Sequence, residues 1–186
     1  FAEPVMGAGG VIPPPATYFE KIQSILKEYD ILFVVDEVIC GFGRTGHMFG
    51  TQTYTLQPDM ITVAKALSSG YLPISALMVN EKGYDVMVEQ SDKIGIFGHG
   101  FTCGGHPVSC AVALETQRIY EETDIVSHVR HVSPALQNGL RAFANHDLVG
   151  EVRGVGLIGA IELVRDKSTR DPFDAQDGVG AYLAER

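Results

Sequence analysis

Apolar residues along this chain recur with the periods of both strands and helices, which predicts an α/β fold. Short runs rich in β-branched residues are typical of buried strands, and they lie at 31–35, 60–63 and 74–79. Apolar residues at helical spacing predict amphipathic helices, and these lie at 16–29, 84–91, 107–121 and 124–146. Pro134 cannot donate a hydrogen bond to the carbonyl of Arg130, so we expect a kink in the last of these helices.

The order of the first elements predicts a parallel sheet. A strand that ends near Met6 is followed by the helix over 16–29 and by the strand over 31–35. Strand–helix–strand units of this kind join parallel strands through a right-handed crossover.

The second part of the chain predicts a separate unit. Residues 149–164 are expected to form strands of another sheet, followed by a polar loop over 166–173 and a helix from residue 174. We therefore predict a large domain over residues 1–123 and the start of a smaller one over residues 124–186.

Two of the predicted strands end in charged residues. Asp36 and Glu37 follow the strand over 31–35, and Lys65 follows the strand over 60–63. In parallel α/β sheets ligands bind outside the carboxyl ends of the strands, so Asp36 and Lys65 are expected to face one crevice. Glu37 is expected to be structural, because alternate residues of a strand face opposite sides.

Lys65 differs from the other five lysines of the chain. Each of those has an acidic neighbour in sequence, whereas Lys65 lies between two alanines behind an apolar run. A lysine at a strand end can simply extend its amine to water. Apolar surroundings would instead disfavour the charged amine and make it a nucleophile able to form a Schiff base. An aspartate on the neighbouring strand end, here Asp36, suits the pyridine nitrogen of pyridoxal phosphate.

A glycine-rich segment before Pro107 has the composition of an anion site. Residues 94–107 are expected to form a strand edge that runs into a tight turn, with Pro107 in the first turn of the next helix. Successive amides at such a turn bind anions, and the Thr102 hydroxyl adds a donor. A zinc site is the alternative here, although its spacing is not a standard pattern; its ligands would be His99, Cys103, His106 and Cys110.

Composition narrows the class of protein. The 186 residues are 45% hydrophobic and 20% charged, which suits a globular protein with a core. A net charge of −9 without a basic stripe argues against nucleic acid as a partner. No apolar run reaches the length of a membrane span, so a membrane is not expected as a partner either. Three cysteines without framework spacing favour a reducing compartment, and we expect the cytoplasm.

A long stretch with fixed internal spacing resembles the signature of class III (subgroup II) pyridoxal-phosphate aminotransferases. Its two halves are Phe33-Val-Val-Asp36-Glu37-Val-Ile-Cys-Gly-Phe-Gly-Arg44-Thr-Gly46 and Pro58-Asp59-Met-Ile-Thr-Val-Ala-Lys65-Ala-Leu-Ser-Ser-Gly70. The match continues at Glu3-Pro4-Val5 and at Gly100-Phe-Thr102-Cys-Gly-Gly-His106-Pro107, and it covers most of the chain. Family members are more than twice as long, so we expect this chain to be a piece of a larger subunit.

The resemblance implies a fold-type I transferase with a large, mostly parallel sheet domain and a small α+β C-terminal domain. It implies that Lys65 forms the Schiff base with pyridoxal phosphate and then moves the proton between the substrate carbon and cofactor C4′. It further implies that Asp36 pairs with the pyridine nitrogen and that Val38 packs on the ring, although an ordinary buried valine fits Val38 equally well. Thr102 would donate to the phosphate of the neighbouring subunit's cofactor, which implies a homodimer with shared active sites, or a tetramer built from it.

Two departures from the family pattern point to the substrate. Ornithine- and 4-aminobutyrate-type members resemble Glu-Pro-x-x-Gly-Glu and Asp-Glu-x-Gln, whereas this chain has Ala8 and Ile39 at the last positions of these motifs. Both departures, and the run Gly9-Gly-Val-Ile-Pro-Pro14, are similar to ω-amino acid:pyruvate aminotransferases and amine transaminases. We therefore expect an ω-amino acid or amine as donor and pyruvate or a similar 2-oxo acid as acceptor.

Several alternatives stay open on the sequence alone. The chain could be an ornithine- or 4-aminobutyrate-type aminotransferase, an aminomutase or a dialkylglycine-type decarboxylase of the same class. It could also be a non-catalytic protein on the same scaffold, although Lys65 and Asp36 are both present. For the glycine-rich loop over 41–50, we favour a tight surface loop in which Arg44 is solvated over a loop in which Arg44 contacts substrate.

Overall fold

The computed structural model describes residues 1–185 and has an α/β architecture with two sheets. The helices are α1 Tyr18–Glu28, α2 Gly50–Thr53, α3 Glu81–Ile94, α4 Pro107–Glu122, α5 Ile125–Arg141 and α6 Val179–Ala184. The strands are β1 Val34–Asp36, β2 Met60–Val63, β3 Ala76–Val79, β4 Val149–Val155, β5 Ile158–Asp166 and β6 Asp171–Pro172. Within the described part of the chain, no helix is long and apolar enough to cross a membrane.

The first sheet has the strand order β1-β2-β3. Strands β1 and β2 are parallel, and Ala2 forms a further parallel bridge with Val35, which confirms the predicted parallel strand–helix–strand unit. Strand β3 runs antiparallel to β2. The sheet is therefore mixed at this edge, and its parallel part brings the carboxyl ends of β1 and β2 together.

Two small clusters of buried side chains form the core around the first sheet. The cluster beneath α1 consists of Phe19, Phe33, Val35 and Leu56. The other joins Val5 and Cys40 to Ile158 of β5, so the second sheet packs against the start of the chain. Burial raises the pKa of the Cys40 thiol to about 12, and its S–H donates to the Val5 carbonyl at 3.3 Å. Cys40 is thus a small apolar side chain of the core rather than a nucleophile.

The second sheet has the order β4-β5-β6, and all its pairs are antiparallel. Helix α5 packs on β4 and β5, and its Gln137 side chain donates to the carbonyls of Gly156 at 2.9 Å and Ile158 at 3.1 Å. Helices α4 and α5 are joined by a short turn, where the Asp124 side chain caps α5 by accepting from the Ser127 amide. The domain boundary at residues 123 and 124 stays a prediction.

Three local expectations were wrong. The residues after Ile94 form no strand edge, because α3 extends to Ile94, ends at a left-handed Gly95 and leads into irregular chain up to α4. Helix α3 also begins earlier than predicted, since the Asn80 side chain caps it by accepting from the Gly83 amide. Residues 166–173 were predicted to be a polar loop, but they contain β6, which pairs with β5.

Candidate active site at the carboxyl ends of β1 and β2

The parallel pairing of β1 and β2 places the two charged strand ends at the same edge of the first sheet. In the parallel register, Asp36 at the end of β1 is paired with Thr62 of β2, and Lys65 follows three residues later. Asp36 is half-buried and Lys65 is exposed. The first sheet therefore presents a carboxylate and an amine at the edge where parallel sheets bind ligands.

Lys65 begins a turn with unusual backbone geometry. Its φ angle is 41°, in the left-handed region, and it opens a 3-10 turn over Lys65–Leu67. A residue with a Cβ atom in this region is less stable by about 1–2 kcal/mol. Strained backbone of this kind persists where the surrounding structure over-determines it, which happens often at functional sites.

Asp36 and Lys65 line two different clefts, so the structure does not place them in the one crevice that the sequence predicted. One carboxylate oxygen of Asp36 accepts a hydrogen bond from the Val38 amide at 2.9 Å. Val38 and Lys65 line the same open cleft of about 490 Å³, whereas Asp36 lines another cleft with the Pro13–Pro15 segment. Each volume is large enough for a small organic ligand. Val38 is half-buried, so it is exposed to a ligand in the lysine cleft.

Glu37 faces away from both clefts and is fully buried. Its two oxygens accept hydrogen bonds from the amides of Gly50 at 2.9 Å and Thr51 at 2.6 Å. Burial raises the pKa of this carboxyl, and the two amide bonds lower it by less. Glu37 therefore closes the loop that begins at Val38, which agrees with the structural part that strand alternation predicts for it.

The glycine-rich loop over 41–50 is mostly buried, so its interpretation as a surface loop was wrong. It is covered by the second part of the chain: the Gly46 carbonyl accepts from Arg130 Nε of α5 at 2.6 Å. The Arg44 carbonyl accepts from the Leu157 amide of the β4–β5 turn at 2.9 Å. The Arg44 side chain itself is exposed and lines the cleft of Lys65.

Sequence reasoning missed several residues that line the cleft of Lys65. Tyr120 of α4, together with Leu157 and Ile158 around the β4–β5 turn, lies there beside Val38 and Lys65. The only local signal was the glycine pair at 154 and 156, which is typical of a tight turn. Their position next to Lys65 depends on contacts between distant segments.

Thr102 lies apart from these residues. It is exposed, in a turn after α3, and lines neither the cleft of Lys65 nor that of Asp36. One amide of this turn is already used, because Gly104 N donates to the Phe101 carbonyl at 2.9 Å. Among residues 1–185, no three His, Cys, Asp or Glu side chains form a group that could hold a metal ion, and this includes the cysteines and histidines over 99–110.

The side chains at the strand ends fit pyridoxal phosphate. Lys65 offers an amine, Val38 an apolar surface in the same cleft, and Asp36 a carboxylate whose second oxygen has no hydrogen bond within residues 1–185. These features and the α/β architecture are similar to those of fold-type I pyridoxal-phosphate enzymes. The family model for class III aminotransferases matches residues 1–185, and the chain belongs to this family.

Named relatives agree with this assignment. A gamma aminobutyrate transaminase 3, chloroplastic, from Solanum lycopersicum is 60% identical over 185 residues, which are 100% of this chain and 36% of that protein. A gamma-aminobutyrate transaminase 1, mitochondrial, from Oryza sativa subsp. indica is 59% identical and is matched over 98% of this chain and 35% of its own length. This chain thus spans about a third of the length of these relatives.

Solved structures of similar proteins have the same fold. An omega transaminase from Pseudomonas jessenii in complex with PMP superposes with a TM-score of 0.96 at 52% identity, over 100% of this chain and 41% of that one. A structure described as a transaminase with L-ala gives a TM-score of 0.93 at 54% identity, over 97% of this chain and 43% of that one.

Proposed function

We propose that this chain works in a pyridoxal-phosphate-dependent aminotransferase that moves an amino group from an ω-amino acid or amine to pyruvate or a similar 2-oxo acid. The observation that carries the proposal is the placement of Lys65 just after β2, while the parallel neighbouring strand β1 ends in Asp36. Membership of the class III aminotransferase family supports the reaction type.

Each residue of the site has a chemical part in this reaction. When bound, pyridoxal phosphate carries the amino group between donor and acceptor and withdraws electrons from the bonds that change. Lys65 would hold the cofactor covalently through Nζ and, once released by the donor amine, move the proton at the substrate carbon. Asp36 would keep the pyridine nitrogen protonated through its carboxylate, and Val38 would pack against the ring. Thr102 would donate its hydroxyl to the phosphate bound in the neighbouring subunit.

The names of the plant relatives and of the Pseudomonas structure support the donor class that we propose. The plant relatives are named for gamma-aminobutyrate and the Pseudomonas structure is called an omega transaminase. In gamma-aminobutyrate the amino group is on the terminal carbon, away from the carboxylate. Ala8 and Ile39 therefore do not separate this chain from proteins named for 4-aminobutyrate, and a terminal amine is the donor that we propose.

A covalent trapping experiment tests the reaction type. The full-length protein is incubated with pyridoxal phosphate, reduced with borohydride, digested and mapped by mass spectrometry. We expect an adduct on the peptide that carries Lys65 and none in Lys65→Ala, which should also lose turnover. Transamination by Lys65→Ala would refute the proposal.

A donor panel tests the substrate class. With pyruvate as acceptor, we expect 4-aminobutyrate or a simple primary amine to be used in preference to 2-aminobutyrate, whose only amino group is on the α-carbon. Preference for an α-amino group, or release of carbon dioxide, would instead favour another activity of the class.

The assembly and the location are also proposals. A homodimer would bring Thr102 of one subunit to the cofactor of the other, and a tetramer could form from such dimers. All three cysteines are free, which supports a reducing compartment. We propose the cytoplasm, whereas the tomato and rice relatives are named chloroplastic and mitochondrial. Fractionation of cells that express the full-length protein decides between these locations.

A further inference from the structure

The turn that carries Lys65, residues 65–71, is closed by its own backbone hydrogen bonds. The Lys65 carbonyl accepts from the amides of Ser68 at 3.3 Å and Gly70 at 3.2 Å. The Ala66 carbonyl accepts from the Ser69 amide at 3.2 Å. These bonds define the turn, but a short 3-10 turn with few local bonds is a weak structure by itself.

Two side chains of α4 add bonds from outside the turn. The Tyr120 hydroxyl donates to the Ala66 carbonyl at 2.9 Å, and Gln117 Nε2 donates to the Leu67 carbonyl at 3.1 Å. Gln117 and Tyr120 are three residues apart, so they lie on one face of the helix. Both side chains are half-buried, which protects these bonds from competition with water.

From these contacts we propose that Gln117 and Tyr120 are positioning residues for Lys65. They hold the turn in its left-handed conformation at Lys65 and so keep the lysine amine directed into the cleft. Lysine has a long, flexible side chain, and the volume that its amine samples depends on how firmly its Cα is held. The inference rests on the proposed function of Lys65 as the residue that holds the cofactor.

Tyr120 has a second set of contacts that the test must separate from the first. Its ring packs against Phe42 of the glycine-rich loop, with 6.3 Å between ring centroids, and it lines the cleft. Tyr120→Phe keeps the ring and removes only the hydroxyl that holds Ala66. Gln117→Met keeps roughly the length of the Gln117 side chain and removes the amide group that donates to the Leu67 carbonyl. Glu121→Gln is the matched control, because Glu121 is exposed on the same helix and makes no side-chain hydrogen bond within residues 1–185.

The experiment measures two properties of the full-length protein. In the cofactor-free protein, amide hydrogen exchange of residues 68–70 should be about fivefold faster in Tyr120→Phe and Gln117→Met and unchanged in Glu121→Gln. In the protein loaded with pyridoxal phosphate, kcat should fall by about five- to tenfold while the KM for the amine donor stays within about twofold.

Several results would overturn the positioning proposal. One is exchange at residues 68–70 that equals that of the parent; another is faster exchange with an unchanged kcat. A raised KM with constant kcat would mean that Tyr120 contacts the donor instead. A parent that does not transaminate would refute the proposed function alone, since the exchange rates of the cofactor-free protein test the hold on the turn without any turnover.

Discussion

Asp36 is the residue whose chemistry depends most directly on its place in the sheet. It ends β1 beside β2, and its second carboxylate oxygen has no hydrogen bond within the described residues. We predict that Asp36→Ala lowers kcat by at least about a hundredfold and weakens cofactor binding, because it removes the proposed carboxylate partner of the pyridine nitrogen. Steady-state kinetics and equilibrium dialysis of the full-length protein measure both effects.

Asp30 provides the control for that substitution. It is exposed at the other end of the same strand segment, where it lies 3.5 Å from Lys82. Asp30→Ala should leave kcat and cofactor affinity unchanged, since an exposed ion pair contributes little. An Asp36→Ala variant that is as active as Asp30→Ala would refute the assigned role.

The buried carboxyl of Glu37 makes the free energy of unfolding depend on pH. Burial raises the pKa of its carboxyl in the folded protein, so the folded state binds a proton more tightly than the unfolded state. The stabilisation from Glu37 is therefore complete below its unfolded pKa and is lost as the pH rises through the folded pKa. Relative to Glu37→Gln, whose neutral amide does not titrate, the parent should lose free energy of unfolding as the pH rises above the usual range for a carboxyl group. Urea denaturation at several pH values measures this difference, and a constant difference would contradict the prediction.

At the scale of elements, the β4–β5 turn packs against the glycine-rich loop. A Cβ atom on Gly156 would lie 2.7 Å from Thr45 Cα and would also collide with the Arg44 carbonyl, and the φ angle of Gly156 is 59°. We predict that Gly156→Ala destabilises the full-length protein by about 2–4 kcal/mol, since backbone overlap adds to the cost of a left-handed alanine.

Gly178 allows the cost of the left-handed conformation to be measured apart from the cost of backbone overlap. Its φ angle is 60°, almost the same as that of Gly156, but a Cβ atom there would meet nothing within 4 Å among the described residues. Gly178→Ala should therefore cost only the conformational part, about 1 kcal/mol. Chemical denaturation of both variants gives the comparison, and equal losses would mean that the turn moves freely away from the loop.

Elements that depend on local sequence were the ones that could be predicted. The apolar run before Lys65 gave strand β2 with its observed bounds, and Asp36 was expected at the end of its neighbour. The glycines between Ile94 and Pro107 were assigned to a strand edge, although glycine is a poor strand former, and here the prediction was wrong.

Contacts between distant segments could not be predicted from the sequence. The hydrogen bonds of Gln117 and Tyr120 to the lysine turn span 50 and 54 positions. Their residue types carry no signal, because a polar residue at helical spacing is usually solvated. The same holds for Arg130, which reaches the Gly46 carbonyl only once α5 has packed beside the loop.

At the scale of the whole molecule, Thr102 is the residue through which the proposed site would depend on assembly. It is exposed and lines neither cleft of its own subunit. In the proposed dimer its hydroxyl serves the partner's cofactor. Thr102→Asp would then place a negative charge against the phosphate of the other subunit and weaken cofactor binding there.

A mixture of two inactive variants distinguishes a shared site from a separate one. In a hybrid dimer of Lys65→Ala and Thr102→Asp, the Thr102→Asp subunit keeps its own lysine and receives an intact threonine from its partner. Half of the dimers in an equal mixture are hybrids with one complete site each, so about a quarter of the parental activity should return. If Thr102 serves its own subunit, both sites of every hybrid are defective and no activity returns. Coexpression of the two differently tagged full-length subunits, with purification of the hybrid through both tags, measures which of the two arrangements this protein uses, because the pure hybrid should then show about half of the parental activity.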